Sequence, residues 1–188
     1  LLRNISQKMS EKVARSRLLM FEKYLGQNTL DIGLGGGSVS KILIDKKYRV
    51  SNLDVTNTSL YPNILPRIYD GEKFPYKKNE FNTGLLICVL HNCVSHVCVL
   101  REAMRTCKRL IIIEDTHRNK FEKILIAARD NIGNFEFYMH KYRSSQDWLK
   151  LFKKLNWKSI YTEEWSNISS YGMYGRQTLF IIEPIEKV

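Results

Sequence analysis

Asp31-Ile32-Gly33-Leu34-Gly35-Gly36-Gly37 decides how this chain is read, because few physical tasks call for an acid followed by alternating glycines. Asn28-Thr29-Leu30 just before it, with Ile32 inside it, suits a short buried strand. From Ser38 onward, Val39, Ile42 and Leu43 read as a helix, so the glycines occupy a strand-to-helix turn. Glycine accepts positive φ there and lets a ligand approach the backbone closely. The helix start beyond it offers N–H groups that have no partner inside the helix. A carboxylate at Asp31 is unsuited to a phosphate cradle and points to a ligand that is cationic or rich in donors.

Two nucleotide-type ligands compete for such a turn. The dinucleotide fingerprint G-x-G-x-x-G places its third glycine where the helix packs closely on the strand. Here that position is Ser38, and the spare glycines are Gly36 and Gly37. A second acid supports a nucleoside in either case. Tyr48 to Asp54 reads as the second strand, ending in a carboxylate about 20 residues past Gly35, placed to accept both ribose hydroxyls.

The pattern Asp-x-Gly-x-Gly-x-Gly resembles the first motif of class I S-adenosylmethionine-dependent methyltransferases. Asp70-Gly71-Glu72-Lys73-Phe74-Pro75-Tyr76, then Phe81-Asn82, then Leu85 to Asn92, are similar to that family's third and fourth motifs. The likeness runs from about Arg15 to Glu183. It implies S-adenosylmethionine as cofactor, held by Asp31, Gly33, Gly35, Gly37, Asp54, Val55, Asp70, Gly71 and Leu90, with Asp70 on the adenine amino group. The family usually has Asp after the Phe. Asn82 stands there in this chain, which removes a charge and keeps a hydrogen-bonding shape.

Strand and helix signals alternate from Thr29 to Leu155, which predicts an α/β fold with a mostly parallel sheet covered on both faces. Leu110 to Glu114 reads as the fifth strand, Ser144 to Leu155 as a helix, and Trp157 to Glu164 with Met173 to Glu183 as closing strands. With the resemblance, this implies a doubly wound, seven-stranded Rossmann-like methyltransferase sheet whose last strand is antiparallel. We expect one domain over 1–188. It divides into a leading helix (1–27), a cofactor-binding half (28–115), a substrate-cap insert (116–143) and a closing helix and strands (144–188). Met9, Val13, Leu19 or Met20, and Tyr24 mark the apolar stripe expected of the leading helix. In similar enzymes such a helix packs near the cofactor cleft, which would bring Arg15 and Tyr24 to ligand; surface charge and a core aromatic are the alternatives.

The 188 residues suffice for one substantial core. Thirty Lys and Arg against 19 acids give a net charge of +11, which fits either a polyanionic partner, nucleic acid or an anionic membrane surface, or a well-solvated exterior. The bases spread over several predicted helices. Aromatic and basic residues interleave only at Phe135 to Arg143. No apolar run approaches the roughly 18–20 residues needed to span a bilayer, and the start lacks a secretory apolar core. The chain opens without Met, so a removed leader remains an alternative. Cys88, Cys93, Cys98 and Cys107 show no metal or disulfide spacing. Cys98 and Cys107 are expected on a helical apolar stripe with Val97, Leu100 and Met104, as buried free thiols of a reducing, cytoplasmic compartment.

Ligands of open α/β sheets bind at the carboxyl ends of the strands. The fourth strand is expected to deliver His91 and Asn92, with His91 either a general base or a structural residue lining the cofactor. The fifth ends in Glu114-Asp115-Thr116-His117, a polar run that either orients an amine or hydroxyl acceptor or forms a strand end and helix cap at Asp115 or Thr116. Asp115 and His117, with Tyr171 and Tyr174 of a late turn, are the candidate acceptor residues. Asp115, His117 and His91 lack a short metal-ligand spacing, so no metal is assigned. An Asn/Asp-Pro-Pro-Tyr/Phe run after the fourth strand is absent, and no Pro-Cys or Thr-Cys pair sits at the strand end where covalent attack on a pyrimidine ring would need it. A methyltransferase for a small or amphipathic, lipid-like acceptor remains the reading by elimination. An RNA or protein methyltransferase, favoured by the charge, and a non-catalytic binding subunit stand as alternatives.

Overall fold

The computed structural model describes residues 2–134, 142–168 and 174–185. Helix α1 (Leu2–Phe21) and a 3-10 turn (Glu22–Tyr24) precede β1 (Asn28–Ile32), α2 (Ser38–Asp45), β2 (Arg49–Asp54) and β3 (Arg67–Ile68). Then come β4 (Phe81–Ile87), α3 (His96–Thr106), β5 (Cys107–Asp115), α4 (Lys120–Asn134), α5 (Ser145–Lys154), β6 (Trp157–Ile168) and β7 (Tyr174–Pro184). The strands form one seven-stranded sheet in the order β3-β2-β1-β4-β5-β7-β6. β1 runs parallel to β2 on one side and β4 on the other, and β2 parallel to β3, while β6 and β7 are antiparallel. The strand order therefore reverses at β1 and β4, where such sheets bind ligands. The expected α/β class, with its antiparallel end, is the one observed. The two-residue β3 is too short to show a periodic pattern in the sequence.

The chain divides into two compact units. The first takes in Leu1–Leu86 and Val97–Ile111. Its core comes from Leu30 and Ile32 of β1, Ile42 and Leu43 of α2, Leu53 of β2, and Leu85 and Leu86 of β4, all buried. Both neighbours of β1 are parallel strands, so its side chains are covered on both faces, and the run reads as nearly continuous burial. Asn82, the second residue of β4, accepts the Asn28 N–H through Oδ1 at 3.1 Å. It thus braces the start of β1, at the opposite end from the glycine turn. Gly26 leaves no room beside it: a Cβ there would lie 2.2 Å from the Asn82 Cβ.

Helix α1 corrects one expectation. Its core-facing row is Ala14, Leu18 and Phe21, whereas Met9 (46%), Val13 (48%) and Leu19 (81%) are exposed. The helix has two apolar rows, and tertiary packing, which periodicity does not encode, selects between them. Polar contacts pin the inner side: Gln7 Nε2 donates to the Leu60 carbonyl at 2.7 Å, Ser38 Oγ to Ser10 Oγ at 2.8 Å, and the Tyr61 hydroxyl to Glu11 at 2.9 Å. Arg15 lies 3.8 Å from Glu11, and Tyr24 is half-buried.

A second correction concerns the cysteines. α3 ends at Thr106 and β5 starts at the next residue, so Cys107 belongs to a strand and is fully buried, while Cys98 on α3 is exposed. Cys88 and Cys93 are half-buried, and all four are free thiols. Burial pushes the Cys107 thiol up to about 12.

The second unit takes in Ile87–His96 and Ile112–Val188. Ser144 caps α5 by accepting the Asp147 N–H at 3.1 Å, and the helix buries Trp148 and Phe152. Phe152 meets Phe180 of β7 edge-on, 5.4 Å between ring centres. The helix cap expected at Asp115 or Thr116 lies further on. β5 runs through Asp115, and Asn119 Oδ1 takes the Glu122 N–H at the start of α4.

Candidate cofactor site and a buried histidine cluster

The glycine turn takes the conformation its composition calls for. Gly35 (φ 52°) and Gly37 (φ 80°) are left-handed, a region that side chains with a Cβ rarely adopt. Their surroundings differ. A Cβ on Gly37, the N-cap of α2, would sit 3.1 Å from Ser59 Oγ, whereas a Cβ on Gly35 would meet nothing within 4 Å. The backbone at Gly35 therefore faces open space, as a cradle must. Asp54 ends β2 and accepts the Gly35 N–H through Oδ2 at 3.1 Å, while its Oδ1 takes the Val55 N–H at 2.7 Å. Gly33 is tied to the same strand, its N–H donating to the Leu53 carbonyl at 2.8 Å. The second acid is thus brought against the turn.

Asp70 and Gly71 form their own tight turn. Asp70 Oδ1 accepts the Glu72 and Lys73 N–H groups at 2.9 and 3.1 Å, and these bonds hold its pKa below the usual carboxylate value. A Cβ on Gly71 would touch Val55 Cγ1 at 3.6 Å, so this turn lies beside the end of β2. Asp31, Gly33, Gly35, Gly37, Asp54, Val55, Asp70 and Gly71 all fall in the first unit. Leu90 lies in the second, buried.

Asp31 is the unusual group. It is fully buried, and desolvation raises its pKa from 3.8 to about 7; the Ser40 hydrogen bond lowers it in part, and the Asp54 charge adds to the rise. Ser40 Oγ lies 2.6 Å from Asp31 Oδ2 and 2.7 Å from Asn52 Oδ1. One hydroxyl hydrogen serves only one of these two acceptors. A proton on Asp31 resolves the conflict: the acid donates to Ser40, and Ser40 donates to Asn52. Burial favours the neutral acid, and this hydrogen-bond chain accommodates it; an Asn52 amide turned to present its NH2 to Ser40 would accommodate the ion.

The second unit holds a different constellation. β4 stops at Ile87, short of the expected His91, and Cys88 turns the chain at φ 58°, a strained value for a residue with a Cβ. His91 then sits in a 3-10 turn, Leu90–Asn92. Glu114, fully buried at the end of β5, gathers that turn. Its Oε1 accepts the Val89 and Leu90 N–H groups at 2.8 and 2.6 Å, and Oε2 lies 2.7 Å from His91 Nδ1. An Oε1 that takes two N–H groups suits a carboxylate, which assigns the hydrogen of that third contact to Nδ1. In the neutral imidazole the lone pair is then on Nε2. The His91 ring stacks on Tyr142 with 5.6 Å between centres.

Beside it, Gln177 Nε2 lies 3.1 Å from Asp115 Oδ1 and 3.4 Å from Cys88 Sγ. His117 Nδ1 is buried and has no hydrogen-bond partner among the described residues. Tyr171 lies outside the described residues, and Tyr174 opens β7 with its side chain likewise outside them. The roles of Ser40, Cys88 and Gln177 had no local sequence signal; their partners lie on other elements. Glu114 was visible within the polar run at the end of β5.

Residues 30–110 match the family model for a methyltransferase domain. Solved structures similar to this chain include a Bacillus halodurans protein assigned as a methyltransferase, 15% identical, covering 90% of this chain and 99% of that one at a TM-score of 0.71. A Methanosarcina mazei S-adenosylmethionine-dependent methyltransferase is 15% identical over 89% and 98%, TM-score 0.70. A Thermotoga maritima methyltransferase described as a possible histamine N-methyltransferase is 14% identical over 90% and 88%, TM-score 0.66. At these identities the likeness is one of fold. No curated protein sequence matches the chain. Domain match, fold and glycine turn together support a methyltransferase of the class I, S-adenosylmethionine-dependent type. The domain match implies S-adenosylmethionine as the cofactor.

Proposed function

We propose that the chain methylates a small or amphipathic acceptor through an oxygen or nitrogen that loses a proton, with His91 as the base. The observation that carries this reading is Glu114, a wholly buried carboxylate spent on fixing His91 and its turn. When bound, S-adenosylmethionine supplies a methyl group made electrophilic by its sulfonium. Gly33, Gly35 and Gly37 let it close on the backbone, and Asp54 takes the ribose hydroxyls. Asp70 with Gly71 and Val55 borders the adenine, and Asp31 and Leu90 complete the set. His91 Nε2 takes the proton that the acceptor atom gives up. Asp115 and His117, with Tyr171 and Tyr174, orient the acceptor; His117 Nδ1 is a donor or acceptor without a partner among the described residues. We read 1–188 as one domain whose 116–143 stretch covers the acceptor, and its free thiols as those of a reducing, cytoplasmic compartment.

Methyl transfer from labelled cofactor to a panel of small amines, phenols and amphipathic hydroxyl compounds tests the reading, with His91→Gln and Glu114→Gln alongside. A base assisted by Glu114 predicts a loss of about 100-fold in kcat for His91→Gln. Glu114→Gln should move the acid limb of the pH–rate profile to lower pH, because the imidazolium loses its counter-charge. Activity with an unchanged profile in both variants would remove His91 from the chemistry. The net charge of +11 favours a second reading, RNA or protein as acceptor; steep salt dependence of RNA binding would support it.

A further inference from the structure

Helix α1 carries an apolar row on its outer side. Ile5 (48%), Met9 (46%) and Val13 (48%) follow one another at successive four-residue steps, on the side away from the buried Ala14, Leu18 and Phe21. Lys8, Lys12 and Arg15, all exposed, run along one flank of that row at helical spacing. Glu11, the only acid of the helix, accepts the Tyr61 hydroxyl through Oε1 and lies 3.8 Å from Arg15 through Oε2, which leaves Lys8 and Lys12 without an acid on this helix beyond it. The outer side is therefore aliphatic and basic. Gln7, Ser10 and Glu11 bond to Leu60, Ser38 and Tyr61, which fixes the orientation of this side on the first unit.

We propose that α1 docks the protein flat on an anionic bilayer surface, with Ile5, Met9 and Val13 entering the headgroup boundary and the bases meeting lipid phosphates. Three occupants compete for the face, and the chemistry separates them. A nucleic acid would engage the bases and leave the aliphatic row in water. A protein groove favours large aromatic or arginine anchors in a closed pocket, and this row has no aromatic. A bilayer interface takes both at once, since lysine stems lie along the apolar surface while their ammonium groups reach the phosphates. Three side chains and three bases make a weak, reversible and salt-sensitive attachment. No helix among the described residues is long and apolar enough to cross a membrane, so this face would act as a surface contact. The inference is independent of the acceptor proposed above.

Co-sedimentation with phosphatidylcholine vesicles, plain or mixed with phosphatidylglycerol, tests it on the whole chain. The variants are Lys8→Glu/Lys12→Glu and Met9→Ser/Val13→Ser, both at exposed positions, with circular dichroism confirming the fold. The wild-type chain should prefer the mixed vesicles, and each variant should lower that partition by about 10-fold or more. Equal partition on plain and mixed vesicles overturns the proposal. So does unchanged binding of either variant, because the face must act through both its charges and its apolar row. A dimer in sedimentation velocity that Met9→Ser/Val13→Ser abolishes, without vesicle binding, would instead assign the face to a second copy of the chain.

Discussion

Replacing Asp31 by Asn removes a titration that the fold makes costly, and the size of the effect follows from the burial. In the unfolded chain this carboxyl ionises near 3.8; in the folded chain it holds its proton to about 7. Below 3.8 both states are protonated, and the group leaves stability unaffected by pH. As pH rises from there, the unfolded chain gives up the proton first, so the folded state loses about 1.4 kcal/mol per pH unit. The loss reaches roughly 4 kcal/mol by pH 7 and then levels off. Asn keeps the shape and cannot ionise, so the Asp31→Asn stability minus the wild-type stability should climb over that window. Between pH 5 and 7 the climb is about 2.3 kcal/mol, or about 1–2 M in urea midpoint. Urea unfolding at pH 5, 6, 7 and 8 measures it, and the subtraction cancels every other titrating group. Two further variants locate the cause. Ser40→Ala should move the window up by removing a hydrogen bond to the ion, and Asp54→Asn should move it down by removing a like charge. A difference curve flat from pH 5 to 8 would mean that Asp31 is ionised and solvated like an ordinary carboxylate, and the neutral-acid reading would fall.

Asp54→Ala should weaken S-adenosylmethionine binding by calorimetry about 10- to 100-fold, because a charged acceptor for the ribose is lost together with the brace on the Gly35 N–H; unchanged affinity would place the nucleoside elsewhere. Gly84→Ala should destabilise the fold by about 1–3 kcal/mol, since the new Cβ would lie 2.8 Å from Cys107 Sγ and 2.9 Å from Leu110 Cδ2. Adding Cys107→Ala should recover part of that loss in urea unfolding, and strict additivity of the two changes would argue against the contact.

What the sequence made legible was local. The glycine turn, its flanking strand and the carboxylate closing β2 are read from neighbouring residues, and Asp54 stands at the last position of β2. The errors arose where a choice depended on something distant. α1 offers Met9 and Val13 as one apolar row and Ala14, Leu18 and Phe21 as another, and only the packing partner selects the second. Cys107 reads as a continuation of the α3 stripe because α3 passes into β5 with no linker residue to mark the change. His91 and Glu114 lie 23 residues apart, Ser40 and Asn52 lie 12 apart, and Gln177 and Cys88 lie 89 apart. No periodicity carries pairings of that kind.

The two carboxylates that depart furthest from ordinary practice, Asp31 and Glu114, show what those distant pairings accomplish. A buried acid is stabilising only when hydrogen bonds or charges compensate its desolvation. Glu114 has three such contacts and no room for a fourth role; it is an anchor, and its effect is the fixed tautomer and position of His91. Asp31 shares one hydroxyl with Asn52 and faces the charge of Asp54, so above pH 7 its ion is poorly compensated. Local choices that oppose stability are expected at functional sites. In the proposed site a cationic sulfonium ligand would supply the missing charge, so its binding should release the Asp31 proton and tighten as pH rises towards 7; calorimetric affinity that is flat from pH 5 to 8 would put the sulfonium out of reach of Asp31.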